Sequence, residues 1–273
     1  MRTLFRDITI GQYYAVDSPV HARDPRIKLM ATLLYCIALF TVKNALWYLP
    51  LTVLLLVLYR VARIPLGYVL RSLRGVALLL CFTFFFRMTL TEGQVLGHLW
   101  IFSITREGIF EAIRMTSRIA LMILGASLLS YTATPREMAD GMETGLAFLE
   151  KVGIPIHSMA VIVMIAFRFI PVMTEEMNIL MDAQAARGAE FENCSVWKKC
   201  KNVCSLLMPL FFSTVRRSTD LAMAMESRGY VEGAETTRMH PLIYDQADRC
   251  TQGAMWLLFL VLEALLIWDR VGF

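Results

Sequence analysis

Residues 29–59 read LMATLLYCIALFTVKNALWYLPLTVLLLVLY. Lys43 is the single charge in this stretch, and Lys43-Asn44 divide it into two apolar runs, 29–42 and 45–59. A helix needs roughly 20 apolar residues to cross about 30 Å of hydrocarbon. The runs predict a tight membrane hairpin whose first arm is short but charge-free. Working outward, three further runs stand out at 76–90, 113–131 and 254–268. The composition agrees: 57% of the 273 residues are hydrophobic, 18% are charged, and the mean hydropathy is +0.54. A soluble domain holds about 45–50% apolar and about 25% charged residues. With 15 Gly and 9 Pro the chain is neither collagen-like nor disordered, and 6 Cys make no disulfide scaffold. The predicted fold class is all-α: a polytopic membrane protein with about five transmembrane helices.

Charge sets the orientation. Residues 1–28 carry Arg2, Asp7, Asp17, Arg23, Asp24 and Arg26 around no apolar centre, so no cleavable signal peptide is expected. With the N-terminus inside, 21 of the 27 Lys and Arg fall on the cytoplasmic segments 1–28, 60–75 and 133–252. Lys43, Arg87, Arg106 and Arg270 fall outside, and Arg114 and Arg118 lie within the fourth run. This bias is the positive-inside pattern of a multi-pass cell-membrane protein with residues 133–252 cytoplasmic. The net charge of +4 is then an insertion signal, not a nucleic-acid footprint. Three parts follow: 1–132 with the first four spans, a cytoplasmic region 133–252 of long amphipathic helices, and a last span within 253–273.

The region 133–252 is too long for a connecting loop. Thr134-Pro135-Arg136-Glu137 reads as an N-cap with Pro at the first helical position, and Gly153-Ile154-Pro155 as a break. Residues 158–170 are apolar but short for a span. Their ending, Arg168-Phe169-Ile170-Pro171, suggests a helix at the membrane surface that continues past a kink. Two amphipathic helices are predicted beyond it. In 171–187, Met173, Met177, Leu180 and Met181 share a face apart from Glu175, Glu176 and Asp182. In 206–228, Leu207, Leu210, Phe211, Leu221 and Met225 alternate with Arg216, Arg217 and Asp220. Residues 190–202, with Lys198, Lys199 and Lys201, read as a solvated linker.

The two helices end alike. The first closes Ala185-Ala186-Arg187-Gly188 and the second Glu226-Ser227-Arg228-Gly229, with the arginines 41 positions apart. Each ending alone reads as a helix C-cap, with Arg on the negative end of the dipole and Gly in the left-handed position. As a pair they present two guanidiniums on rigid tips, each with five donors suited to a carboxylate or carbonyl of a partner.

With these stretches in view, the chain resembles the transmembrane T components of energy-coupling factor transporters, the EcfT/CbiQ family. The resemblance is carried by Asp24-Pro25-Arg26-Ile27-Lys28-Leu29, Thr134-Pro135-Arg136-Glu137, Gly153-Ile154-Pro155, Arg168-Phe169-Ile170-Pro171, and the two X-Arg-Gly endings, the second running on to Tyr230. It implies a non-catalytic membrane scaffold without cofactors. Two cytosolic ABC ATPases dock beneath such a scaffold, and a small membrane S component binds the vitamin or metal ion. It also implies that Ala186-Arg187-Gly188 and Ser227-Arg228-Gly229 sit in grooves of the ATPases, supported by Ala185, Glu226, Arg168 and Pro171, and pass ATP-driven motion to the S component.

Other chemistry lacks its motifs. There is no Gly-x4-Gly-Lys-Ser/Thr loop, no His-Glu-x-x-His and no Gly-x-Ser-x-Gly. His21, His98, His157 and His240 are isolated, and Cys200 and Cys204, with Cys194 nearby, lack a second ligand pair for zinc. Arg114 and Arg118, one turn apart in a span, leave a rival reading: a self-sufficient permease with both in its pathway.

Overall fold

The computed structural model describes residues 13–42, 44, 47–91, 94–99, 102–189, 196–231 and 244–271. They fall into two compact units, residues 11–141 with 242–273, and residues 1–10 with 142–241. In chain order the elements are α1 (Pro25–Thr41), α2 (Tyr48–Val61), α3 (Leu66–Leu90), β1 (Val95–Leu99), β2 (Phe102–Thr105), α4 (Arg106–Thr132), α5 (Pro135–Leu146), a 3-10 turn (Ala147–Val152), α6 (Ile156–Ala186), α7 (Val196–Ser227) and α8 (Gln246–Val271). The helical expectation holds. The addition is one antiparallel hairpin pairing Val95 with Thr105 and Leu99 with Phe102.

The first unit shows why Asp24-Pro25-Arg26 stands at its start. Asp24 caps α1 by accepting from the Arg26 amide at 2.9 Å, and Pro25 fills the first turn, where no amide proton is needed. The Arg26 guanidinium returns two bonds to the same carboxylate, at 3.0 and 2.8 Å, and lies 4.0 Å over the Tyr244 ring.

Two cations then register α1 against α4. Lys28, buried at the cytoplasmic end predicted for α1, donates to the carbonyls of Thr132 at 2.9 Å and His21 at 2.8 Å. At the other end, Arg118 of α4 donates Nη2 to the Val42 carbonyl, the C-cap of α1, at 2.7 Å, and Nε to Tyr48 Oη at 3.1 Å. Fourteen residues separate Lys28 from Val42, and fourteen separate Arg118 from Thr132. The two contacts are therefore a matched antiparallel register, about 21 Å long at 1.5 Å per residue. Each cation satisfies carbonyls that a helix end leaves without a partner.

Between these anchors lie two buried clusters. Leu39, Val42, Tyr48, Leu51 and Leu121 are buried together, with Phe259 and Leu262 of α8 against them. Leu55, Tyr59, Ala62, Val69, Leu124 and Tyr131 form a second cluster, and Tyr59 Oη donates to the Leu124 carbonyl at 2.8 Å. At the far end Thr105 caps α4 through the Gly108 amide at 3.1 Å and donates to the Thr91 carbonyl at 2.8 Å. A methyl group at Gly108 would lie 2.7 Å from the Met88 carbonyl oxygen of α3. Backbone cannot move aside as a side chain can. Gly108→Ala is therefore expected to cost about 1–3 kcal/mol through overpacking, read as a lower midpoint for thermal unfolding of the purified chain in detergent.

Gly67–Leu90, Arg106–Thr132 and Ile156–Ala186 are long and apolar enough to cross a membrane, and Tyr48–Val61 is a shorter apolar helix. The 17 residues of α1 reach about 25 Å. The last predicted run lies within α8. On α3, Leu70, Leu78, Phe82 and Leu90 are all more than half exposed, as side chains facing hydrocarbon are. The chain is a multi-pass membrane protein.

Two expectations need correction in the second unit. The helix of 158–170 continues past Pro171 as expected, but with 171–187 it forms the 31 residues of α6, long and apolar enough to cross a membrane where 158–170 alone reads as short. Likewise α7 begins at Val196 and contains Pro209, so Lys198, Lys199 and Lys201 lie on the helix and not in a linker. Residues 190–195 of that predicted linker lie outside the described residues. A proline removes one backbone bond, a loss that long apolar helices tolerate. Lysine is itself a good helix former.

Candidate functional site

The last turns of α6 and α7 are built the same way, bond for bond. In α6, the Gly188 amide donates to the Ala185 carbonyl at 2.9 Å and the Ala189 amide to Gln184 at 3.0 Å. In α7, the Gly229 amide donates to Glu226 at 2.9 Å and the Tyr230 amide to Met225 at 3.0 Å. Each is a Schellman closure, with the glycine left-handed at φ 91° for Gly188 and 77° for Gly229. Gly153 closes the 3-10 turn similarly, at φ 90°. Arg187 and Arg228 thus occupy the C-cap position, one residue before each reversal of the chain.

This position explains the residue types. Ala186 and Ser227 are exposed and small, and Arg187, Gly188, Arg228 and Gly229 are exposed beside them. Among the described residues neither tip guanidinium has a partner. Each guanidinium carries five N–H donors. Ala185 and Glu226 contribute through their carbonyls, which accept from the two glycines. Arg168 and Pro171 lie further back along α6, both exposed, and belong to the shaft of the helix, not its tip. A Cβ at Gly188 or Gly229 would meet nothing within 4 Å, so space does not demand glycine there. Backbone conformation does. Gly188→Ala and Gly229→Ala are each expected to cost about 1–2 kcal/mol, seen as faster hydrogen exchange at the Ala189 or Tyr230 amide.

The faces expected of the two helices are present. Met173, Met177, Leu180 and Met181 are half-buried while Glu175 and Asp182 are exposed. On α7, Leu210, Leu221 and Met225 are half-buried, but Leu207, Met208, Phe211 and Phe212 are each more than half exposed. The helices meet midway. Arg217 Nη2 pairs with Glu176 Oε2 at 2.5 Å, Ser213 Oγ donates to Glu176 Oε1 at 3.1 Å, and Thr214 Oγ1 contacts Met173 Sδ at 3.2 Å. Glu143 of α5 accepts from His157 Nδ1 of α6 at 2.9 Å, and Glu150 accepts from the His157 amide at 3.0 Å.

The span arginines separate in role. Arg118 is committed to Val42 and Tyr48, and Arg114 pairs with Glu111 on its own helix. Sequence reading placed both in a span but missed the carbonyl of Val42, which is 76 positions from Arg118. It also missed Glu176 with Arg217, although their spacing of 41 is that of the two tips. Among the described residues no three His, Cys, Asp or Glu groups assemble as a metal site. Cys204 is a free thiol, Cys194 lies outside the described residues, and the side chain of Cys200 does too.

Comparison with known proteins agrees with this architecture. The CbiQ family model, described as cobalt transport protein, matches residues 17–240. The energy-coupling factor transporter transmembrane protein EcfT of Acidaminococcus fermentans is 38% identical over 265 residues, covering 97% of this chain and 98% of that one. EcfT of Thermanaerovibrio acidaminovorans is 41% identical over 248 residues, covering 91% and 92%. EcfT of Lactococcus lactis subsp. cremoris is 34% identical over 268 residues, covering 98% and 100%. The family match spans both arginine-tipped helices as well as the registered membrane helices, and the chain belongs to the EcfT/CbiQ family of transmembrane components of energy-coupling factor transporters.

Proposed function

We propose that this chain is the coupling subunit of an energy-coupling factor importer. Two cytosolic ABC ATPases dock on its two tips, one on Ala186-Arg187-Gly188 and one on Ser227-Arg228-Gly229. A membrane-embedded S component carries the substrate, a vitamin or a metal ion. The chain itself catalyses nothing: ATP is hydrolysed on the partners, and this subunit transmits the resulting motion. Its N-terminus and region 133–252 face the cytoplasm, with the apolar first half of α6 held in the inner side of the bilayer.

The observation that carries this reading is the pair of matched helix tips, each with an exposed guanidinium without a partner among the described residues. A guanidinium held at a capped helix end is pre-organised, which lowers the entropy lost on docking. The uncovered apolar face of α7 at Leu207, Met208, Phe211 and Phe212 suits a second membrane protein or lipid. The test is gentle solubilisation of the tagged chain from its own cells and identification of what co-purifies. Two ABC ATPases together with a small membrane protein are expected. Recovery of the chain without ATPases would sink the reading.

A further inference from the structure

The tips are matched in more than their caps. Eleven residues separate Glu176 from Arg187, and eleven separate Arg217 from Arg228. At 1.5 Å per residue each arm is about 16 Å long, measured from the ion pair to its arginine. The contacts mark where the helices cross: Met173 meets Thr214, and Glu176 meets both Ser213 and Arg217. Each arm runs from this crossing to the C-terminal tip of its own helix.

The geometry points to Glu176 and Arg217 as a pivot that fixes the spacing of the two tips, so that both engage their partners at once. This rests on the coupling role proposed above. A two-point dock gains its strength from effective concentration: once one tip is seated, the other is already at its site, and avidity exceeds single-site affinity by about 10²–10⁴. That gain falls if the spacing wanders. What holds the spacing at the meeting point is the Glu176 carboxylate, engaged on one oxygen by Arg217 and on the other by Ser213. Two bonds from neighbouring turns of α7 fix a rotation as well as a distance. Arg217 is 43% exposed and Glu176 22%, and ion pairs so open to solvent add little to folding. Their value lies in registering the arms, and their loss leaves the helices intact.

The test uses the full chain in nanodiscs with the ATPases that co-purify with it. Four forms are compared: wild type, Glu176→Gln, Arg217→Glu, and the exchange Glu176→Arg with Arg217→Glu. Spin labels at residues 186 and 227 report the tip-to-tip distance in a background without native cysteines. Each single variant is expected to broaden the distance distribution and to weaken capture of the ATPase pair by about threefold to fivefold, well short of a chain with one tip disabled by Arg228→Glu. The exchanged pair is expected to restore the narrow distribution and wild-type capture. A narrow, unchanged distribution in both single variants would overturn the pivot, as would full binding in either of them or no recovery in the exchange. If wild type itself captures no ATPase, the coupling role falls, and the distance distribution alone decides the pivot.

Discussion

Reversing both tips, Arg187→Glu with Arg228→Glu, is expected to abolish capture of the ATPases while the chain still inserts and folds. Each single reversal is expected to weaken capture by about 30-fold to about 4,000-fold. Truncating one side of a hydrogen-bonded charge pair in an interface costs about 2–5 kcal/mol, largely because the other side is left unpaired, and every 1.4 kcal/mol is tenfold. Both arginines are exposed C-cap residues whose side chains have no partner among the described residues, so no contact among those residues is lost with them. The caps are made by backbone amides and carbonyls of Ala185, Gly188, Glu226 and Gly229, which the substitutions leave in place. Arg→Lys at both tips keeps the charge but gives up the planar fork, and should fall between wild type and reversal. The measurement is a pull-down titrated with purified ATPases, with thermal unfolding of the chain as the control. Undiminished capture by the double reversal would remove the tips from the mechanism.

Much of this arrangement is legible before any coordinates. Apolar length locates runs that fall in α1 to α4 and α8, but it reads 158–170 as short for a span, whereas Ile156–Ala186 as a whole is long and apolar enough to cross. The recurring small-Arg-Gly ending locates both tips, because a left-handed cap needs glycine whatever the surroundings. The expectation failed where an outcome depends on partners distant in sequence or on helix context. Residues 190–202 read as a solvated linker because of their lysines, yet from Val196 they open a helix that also carries Pro209, as α6 carries Pro171. In helices of 31 and 32 residues one missing bond is absorbed. The hairpin between β1 and β2 was not anticipated, since Val95-Leu96-Gly97-His98-Leu99 carries a glycine that weakens a strand signal and sits at a register irregularity. Lys28 was simply one of the inside charges. That it is buried, and binds the end of a helix more than a hundred residues away, is a property of the packed bundle.

Arg118→Leu is expected to destabilise the membrane unit by about 3 kcal/mol, whereas Arg114→Leu should cost less than about 1 kcal/mol. Hydrogen bonds to charged groups contribute about 1.5–3 kcal/mol each. Arg118 makes two, to the Val42 carbonyl and the Tyr48 hydroxyl. Val42 is fully buried and Tyr48 nearly so, and leucine would leave both oxygens facing an apolar core with no donor. Because Val42 ends α1 and Tyr48 begins α2, the loss also loosens the hairpin that those two helices form. Arg114 is different: it pairs with Glu111 one turn away, both are about one-third exposed, and such local pairs are worth little. The contrast separates two meanings of a charge in a span. Residues of a shared transport pathway, as a self-sufficient permease requires, should leave folding unchanged when replaced and lose activity together. A register clamp should lose stability at Arg118 alone, with assembly falling only as folded chain is lost. Thermal unfolding of both variants in detergent, alongside ATPase capture per folded chain, reads these apart. Equal stability of the two variants would show that the lower cation of the α1–α4 pair, Lys28, holds the register without its counterpart.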